Sequence, residues 1–404
     1  MDSLLGRISF IALAMAWASS AIAADAPKSI RIGYAISLSG VNAQGAATTT
    51  LPGYDLWVKD VNDKGGIMVK EFGKRIPVEV VAKYDDTSNA ETLLRLEEKL
   101  MTQDKVDFVL PPWSTGFNLA VAPIFAKYGY PQLAVTANAN DEEQLVKQFP
   151  TLFFFLNQPM HFGAALIGVL DTLKGAGKIN NKVVLLSVGD QFGAEFAAGF
   201  GAGLKGSGYD IVLQKSYPLG AADLTNEVKE AKASGADTFI AGSYPPDTFM
   251  LAGTAITQGY NPKVYYTAVG TAFAEFGGAF KAKADGVFGI GGWDPNLPGA
   301  QDYYKRQVAL TGHAPDGWAS PVTYASLQIL EQAIEKAGTL DRAKVLDAIA
   351  NDGPWDTISG PIDLKTHIRE KQWGVGQWQN GQFVGVSPSD MTGAQPVVFP
   401  KPAW

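Results

Sequence analysis

The 404-residue sequence predicts an α/β protein of two similar lobes, each built on a parallel sheet with helices packed against it. Three observations predict this. Short apolar runs alternate with helix-periodic segments from Ile30 to Phe155, and the alternation restarts at Val183 and continues to Ile290. Strand, helix, strand connections of this kind give parallel pairing with right-handed crossovers. The ~380 residues that follow an amino-terminal processing segment also exceed one ordinary core.

That processing segment is residues 1–23. Arg7 supplies a short positive region, Ile8 to Ser19 is apolar and short for a bilayer span, and Ala21-Ile22-Ala23 fits a small-residue cleavage site. A secretory signal peptide cleaved near Ala23 is expected. No cysteine follows it, which excludes a lipid-anchored form, and no later run approaches ~20 uninterrupted apolar residues. A soluble mature protein is expected.

Ile30 to Ile36 alternates as a first strand, Ser37 to Gly40 turns away, and Val41 to Thr50 is a small polar loop. A helix follows from about Pro52 through Val61, ended by Gly65-Gly66. Ile76 to Lys83 is the next strand, Asp85 to Asn89 a polar cap, and Ala90 to Gln103 a charged amphipathic helix.

The stretch from Val106 to Asn140 organises the rest. Val106 to Leu110 has the length of a buried strand, stopped by Pro111-Pro112. Trp113-Ser114-Thr115-Gly116 follows, then a helix from Phe117 to Tyr128, the strand Gln132 to Val135 and the polar loop Thr136 to Asn140. Two polar loops therefore meet at the carboxyl edge of a parallel sheet, where open α/β sheets bind ligands. Ser114 or Thr115 caps the helix, and the free N–H groups of its first turn attract an anion. With Thr136 and Asn138 as further neutral donors, the pair of loops forms a cradle for a carboxylate. The alternative is a plain helix cap beside an ordinary surface loop.

In the second run, Val183 to Val188 is a strand, Gly189 to Gly193 a loop and Ala194 to Leu204 a helix. Ile211 to Tyr217 is a strand, Asp223 to Ser234 a helix, and Thr238 to Ala241 a strand leading through Gly242 to Pro246 into a helix ending near Gly259. Val264 to Thr267 and Val287 to Ile290 are strands. Pro321 to Ala337 is a strongly periodic helix closed by Gly338, and Asp341 to Ala350 a short one with Thr339 near its cap. Gly374 to Trp378 and Gln382 to Val386 flank an Asn-Gly turn, the mark of a β-hairpin. The proline-dotted tail packs as irregular coil.

Composition removes several function classes. Zero cysteines rule out thiol catalysis, disulfides and cysteine metal sites, and suit an exported chain. A net charge of −7 argues against nucleic acid or an anionic membrane surface as partner. His161, His313 and His367 are the only histidines, and none has a neighbour at metal-ligand spacing. No nucleophile elbow, Walker loop or His-Glu-x-x-His occurs. Gly201 to Gly206 matches Gly-x-Gly-x-x-Gly, but it follows helical sequence and is a helix end. No enzyme, cofactor or metal is expected.

Three groups of residues carry a family resemblance. They are Ile32-Gly33 through Leu38-Ser39-Gly40, Val61 to Ile67 with Tyr84 to Ser88, and Asp356 to Pro361 with the Trp378-Gln379-Asn380-Gly381 hairpin. The chain resembles the periplasmic solute-binding proteins of branched-chain amino-acid-type ABC importers, relatives of the leucine/isoleucine/valine-binding protein with the type I periplasmic binding fold. The resemblance implies two Rossmann-like lobes joined by three crossover strands, with the ligand in the interlobe cleft. The crossings fall near Asn157, Gly292 and Ser359. Lobe one is then 28–157 with 293–358, and lobe two 158–292 with 359–404. It further implies a periplasmic monomer that delivers a small solute to an inner-membrane ABC permease.

Mapped onto this sequence, the family's ligand-carboxylate donors fall on Ser114, Thr115, Thr136 and Asn138, and aromatic contacts from the second lobe fall on Phe192 and Tyr244. Gln44 maps near the cleft. Where amino-acid-binding members hold the ligand ammonium with acids, this chain has Pro159 and Val269. A buried ammonium without an opposing charge is costly. Rings gather instead: Trp113, Phe192, Tyr244, Phe273 and Trp293. An aromatic acid, benzoate-like or hydroxycinnamate-like, is the expected solute, with His161 or Gln158 meeting a distal hydroxyl. The alternative is a branched-chain or aromatic amino acid whose ammonium is held by Asp247, Glu275 or Asp294. Trp113, Trp293, Phe192 and His161 also fit purely structural roles.

Overall fold

Strand β1 (Ile30–Ile36) occupies the residues its alternation predicts and sits at the centre of the first sheet. The computed structural model describes residues 25–294 and 296–404, so the expected signal peptide at 1–23 lies outside the described residues. After β1 come helices α1 (Ala43–Thr49) and α2 (Leu51–Asp63), a small hairpin of β2 (Ile67–Val69) and β3 (Lys74–Ile76), and β4 (Val78–Asp85). Helix α3 (Ala90–Thr102), β5 (Phe108–Val109) and α4 (Thr115–Tyr128) follow. Strands β4 and β5 pair in parallel on either side of β1. Beyond them β6 (Gln132–Ala134), α5 (Glu142–Gln148) and β7 (Leu152–Phe154) form a second parallel pair.

The second body begins with α6 (Pro159–Gly175) and β8 (Lys182–Val188), then α7 (Gln191–Gly206), β9 (Asp210–Tyr217), α8 (Thr225–Ala233), β10 (Thr238–Gly242) and α9 (Pro245–Thr257). Strand β11 (Val264–Thr267), α10 (Ala274–Phe280) and β12 (Phe288–Ile290) complete its parallel part. Helices α11 (Ala300–Thr311), α12 (Ala319–Ala337) and α13 (Arg342–Asn351) come next, then the short pair β13 (Trp355–Thr357) and β14 (Gly360–Ile362). The last strands, β15 (Val375–Gln379) and β16 (Gln382–Ser387), join the second sheet antiparallel, giving the order β16-β15-β12-β11-β10-β8-β9. Their turn has Asn380 and Gly381 both at positive φ, 51° and 76°, the conformation that the Asn-Gly pair predicts.

Several elements depart from the sequence expectation. The loop expected over Val41 to Thr50 holds α1, a short helix whose small residues carry little periodic signal. Helix α7 starts at Gln191, earlier than expected, because the Asp190 carboxylate accepts the Gly193 N–H at 2.9 Å and caps it. Gly201 to Gly206 therefore lies within α7 and forms no phosphate turn. Helix α13 is capped by Asp341, whose Oδ1 accepts from Ala343 N at 2.9 Å and Lys344 N at 3.1 Å. Thr339 only accepts the Asp341 N–H, at 3.1 Å. Helices α5, α6, α10 and α11 are not anticipated by the alternation.

This assignment of the cap is testable. Asp341→Ala leaves two first-turn N–H groups without an acceptor and is expected to cost about 1 kcal/mol. Thr339→Ala is expected to cost less than half as much. Urea unfolding of both variants checks it; equal losses would contradict the assignment.

Candidate functional site

The organising stretch ends its strand in a forced corner. Ser114 has φ 90° and ψ 154°, a conformation that a residue with a Cβ adopts only when its surroundings impose it. Those surroundings are visible. The Ser114 N–H donates to Thr136 Oγ1 at 3.2 Å, and the Thr136 hydroxyl donates in turn to Pro112 O at 3.3 Å. Asn118 Nδ2 reaches the same Thr136 oxygen at 3.2 Å and the carbonyls of Pro112 and Ser114 at 2.9 Å each. Ser114 Oγ caps α4 by accepting the Phe117 N–H at 3.3 Å. Thr115 Oγ1 accepts the Asn138 N–H at 3.3 Å, which locks the second polar loop against the first turn of α4. The N–H groups of Thr115 and Gly116 carry no hydrogen bond among the described residues, nor does Asn138 Nδ2. The result is a patch of uncharged donors at a helix amino terminus, suited to a carboxylate.

Rings face these donors. Trp113 is buried, with its Nε1 donating to Thr49 Oγ1 at 2.9 Å. Its ring lies over Gly45 of α1, where a Cβ would come within 2.0 Å of Cζ2, so only glycine permits the approach. From the second sheet, Tyr244 at the start of α9 places its ring 5.2 Å from Trp113, and Phe192 in the first turn of α7 stacks on Tyr244 at 5.2 Å. The Tyr244 hydroxyl donates to Asp190 Oδ2 at 2.8 Å, fixing the ring to the α7 cap. Between donors and rings is a cavity of about 20 Å³, also lined by Thr49, Leu156, Val269, Trp318 and Ala319. This volume holds about one water.

The polar loop that carries Asn138 is also bolted to α7. Asn140 donates from its backbone N to Glu195 Oε2 at 2.9 Å and from Nδ2 to Glu195 Oε2 and O at 2.8 Å each. Its Oδ1 accepts the Met160 N–H at 3.0 Å at the start of α6. Donor loop and ring helix are thus held in one register.

Of the sequence-predicted residues, Ser114, Thr115, Thr136, Asn138, Trp113, Phe192 and Tyr244 line this cavity together. Others lie elsewhere. Gln44 is exposed on α1, because the helix turns Gly45 and not Gln44 toward Trp113. His161 is exposed on α6 and bonded to Asn157 Oδ1 at 3.0 Å, facing a different groove. Phe273 is buried in the main core at the start of α10, outside the cavity. Gln158 Nε2 is occupied by Glu143 Oε1 at 2.8 Å, and Trp293 lines other cavities. Pro159 only opens α6, whereas Val269 does line the cavity. Sequence reading overlooks Thr49, Leu156, Trp318 and Ala319. Trp318, directly before the strong periodicity of α12, offered the one usable signal.

None of the three acids considered for an ammonium lines the cavity. Glu275 is exposed on α10, and Asp294 is buried with Oδ1 accepting Asn296 N at 2.8 Å. Asp247 accepts the Tyr244 N–H at 3.2 Å and the Tyr217 hydroxyl at 3.3 Å. Burial pushes its pKa up to about 6; the two hydrogen bonds oppose this and the Asp190 charge adds to it.

With that geometry in place, comparison with known proteins is decisive for the family. A model of the periplasmic binding protein family matches residues 29–382. The chain belongs to the periplasmic binding protein family. The Leu/Ile/Val-binding protein homolog 7 of Brucella abortus (strain 2308) is 24% identical over 399 residues, covering 94% of this chain and 96% of that one. Homolog 1 of the same strain is 23% identical over 356 residues, covering 87% and 91%. Among solved structures, the branched-chain amino acid transporter substrate-binding protein LivJ of Streptococcus pneumoniae, in complex with isoleucine, superposes with a TM-score of 0.75 at 21% identity, covering 88% of this chain and 98% of that one. A solute-binding protein of an R. palustris ABC transporter, in complex with benzoate, gives 0.73 at 18%, covering 88% and 95%. These likenesses give the fold: mixed α/β with parallel sheets, the type I periplasmic binding fold.

The buried acid gives a pH prediction. A carboxyl raised from 3.8 to about 6 in the folded state is protonated in both states at low pH, and its ionisation then weighs against folding as pH climbs through that window. Over the full window this is on the order of 3 kcal/mol. The Tm of Asp247→Asn relative to the unsubstituted protein is expected to become more positive from pH 4 to about pH 6 and to level off above it. A pH-independent difference would show that Asp247 ionises freely.

Proposed function

We propose that this periplasmic binding protein is the solute-capturing component of an ABC importer, and that its solute is a small aromatic carboxylate of the benzoate or hydroxycinnamate type. The lobes are taken as 28–157 with 293–358 and 158–292 with 359–404, and the segment 1–23 as a cleaved export signal. The entry of β15 and β16 into the second sheet supports the last lobe assignment. The mature protein acts as a monomer and hands its solute to a membrane permease.

The observation that carries the solute class is the composition of the cavity wall. Neutral donors at the α4 terminus face three rings, and Val269 stands where an ammonium needs an acid. A carboxylate placed at Thr115, Gly116 and Asn138 receives charge-assisted bonds without a competing anion. Its flat body then replaces ring–ring contact between Trp113 and the Phe192–Tyr244 pair. Because the space between them is about 20 Å³, a solute of this size enters only when the two bodies separate, and closure re-forms the wall around it. The benzoate complex of the R. palustris structural neighbour agrees with this reading; the isoleucine complex of the LivJ neighbour supports the amino-acid alternative.

Calorimetry with benzoate, 4-hydroxycinnamate, leucine, isoleucine and phenylalanine separates the two. The aromatic acids are expected to bind and the amino acids not to. Binding of leucine or isoleucine alone would refute the aromatic assignment and leave the transport role standing. Asn138→Ala removes one donor to a charged group and is expected to weaken aromatic-acid binding by roughly 1.5–3 kcal/mol, about 10- to 150-fold. Unchanged affinity would place the carboxylate elsewhere.

A further inference from the structure

Behind the cleft, on the far side of Trp318, lies a second cavity of about 270 Å³. It forms where residues 291–294, 358–361 and 369–373 run together. Its walls include Trp293, Trp318 and Trp373, and the Arg369 side chain enters it. The Arg369 guanidinium makes no hydrogen bond and no ion pair with any described residue. Its backbone, by contrast, is fixed: Arg369 N donates to Phe154 O at 3.0 Å, and Gln372 Nε2 donates to Arg369 O at 2.9 Å. The backbone at Arg369 is therefore held by β7, while its guanidinium has no counter-ion among the described residues.

The rings around it are equally fixed. Gly291 and Gly292, at φ 82° and 142°, seat two of them: a Cβ on Gly291 would lie 2.1 Å from Trp318 Cδ1, and one on Gly292 would lie 3.3 Å from Trp373. Trp373 is also pressed on Gly385, where a Cβ would lie 2.4 Å from Cε3. Two acids line the cavity. Asp294 is buried and accepts the Asn296 N–H at Oδ1 without an ion pair to Arg369, and Asp390 is exposed at the rim, as is Lys371. Arg369 is half-buried, and the burial of its guanidinium lowers its pKa to about 10.

We propose that this rear cavity is a second binding site, taking an aromatic carboxylate whose anionic end pairs with the Arg369 guanidinium and whose ring lies among Trp293, Trp318 and Trp373. A guanidinium offers two parallel donors that match a carboxylate, and indole faces accept a flat ring. The site is independent of the cleft donors. It shares only Trp318 with the cleft, so an occupant there bears on the wall against which the cleft closes.

Titration calorimetry of the full mature chain with benzoate tests this, alongside Arg369→Gln and Asn138→Ala. Two binding events are expected in the unsubstituted protein; Arg369→Gln loses one and Asn138→Ala weakens the other. A single event that survives Arg369→Gln overturns the rear site. A single event lost in Arg369→Gln and retained in Asn138→Ala supports it and refutes the cleft reading instead. Sulfate binding as tightly as benzoate to the Asn138→Ala protein overturns the carboxylate assignment. In benzoate-free buffer Arg369→Gln is expected to melt at or above the unsubstituted Tm, since it removes an uncompensated charge; a drop of several degrees would make Arg369 a structural residue and overturn the proposal. Ser359→Phe, which fills the cavity without touching Arg369, is expected to abolish the same event, and its persistence would count against the site.

Discussion

Everything at the cleft depends on the hydroxyl of Thr136. It accepts from Ser114 N and Asn118 Nδ2 and donates to Pro112 O, so one oxygen joins the end of β5, the start of α4 and the loop after β6. With the Asn118 amide, it holds Ser114 in the left-handed half of backbone space. That corner aims the first turn of α4 outward and leaves Thr115 and Gly116 N–H free. Thr136 is therefore better understood as the keystone of the donor patch than as one of its donors. Asn138 differs from it: its Nδ2 has no hydrogen bond among the described residues, while its backbone N–H is spent on Thr115.

This division of labour explains what could be read from residue order. The strand–loop–helix–strand–loop course of 106–140 follows from apolar run lengths and the proline stop, and the seven side chains that meet in the cavity sit on it or on the matching edge of the second sheet. Gln44, His161 and Phe273 fall elsewhere for one physical reason. Each lies on a helix or at a helix start that the residue pattern does not predict, and a side chain's direction on a helix changes by about 100° per residue. Reading Val41 to Thr50 as a loop gave Gln44 no defined direction; as α1, it turns Gly45 inward and Gln44 out. Trp318 escaped notice because its importance comes from Gly291, far away in the chain and adjacent only in space.

The recurrence of glycine beneath tryptophan is the common structural device. Trp113 lies on Gly45, Trp318 on Gly291, Trp373 on Gly385 and Trp378 on Gly277, each so close that a Cβ would come within 2.0, 2.1, 2.4 and 2.4 Å of the ring. A ring laid directly on backbone has no rotamer to exchange into, so its face is presented at little further entropy cost when a ligand arrives. Both cavities take their walls from such rings. In the cleft, Phe192 and Tyr244 face Trp113 from helices that follow strands of the second sheet.

The two cavities differ in how they treat charge. Under the function proposed above, an anion in the cleft would meet neutral donors only, so no cation has to remain buried there when the site is empty. The Asn140–Glu195 bonds then tie the donor loop to α7 and bring the rings with it. The rear cavity shares only Trp318 with the cleft and is lined by residues that the proposed lobes divide between them, Trp293 and Trp318 on one side and Arg369 and Trp373 on the other. There the guanidinium of Arg369 is a standing cost, anchored by backbone bonds to β7 and balanced by no carboxylate within bonding reach. Trp318, which lines both cavities, is the side chain through which the two would communicate.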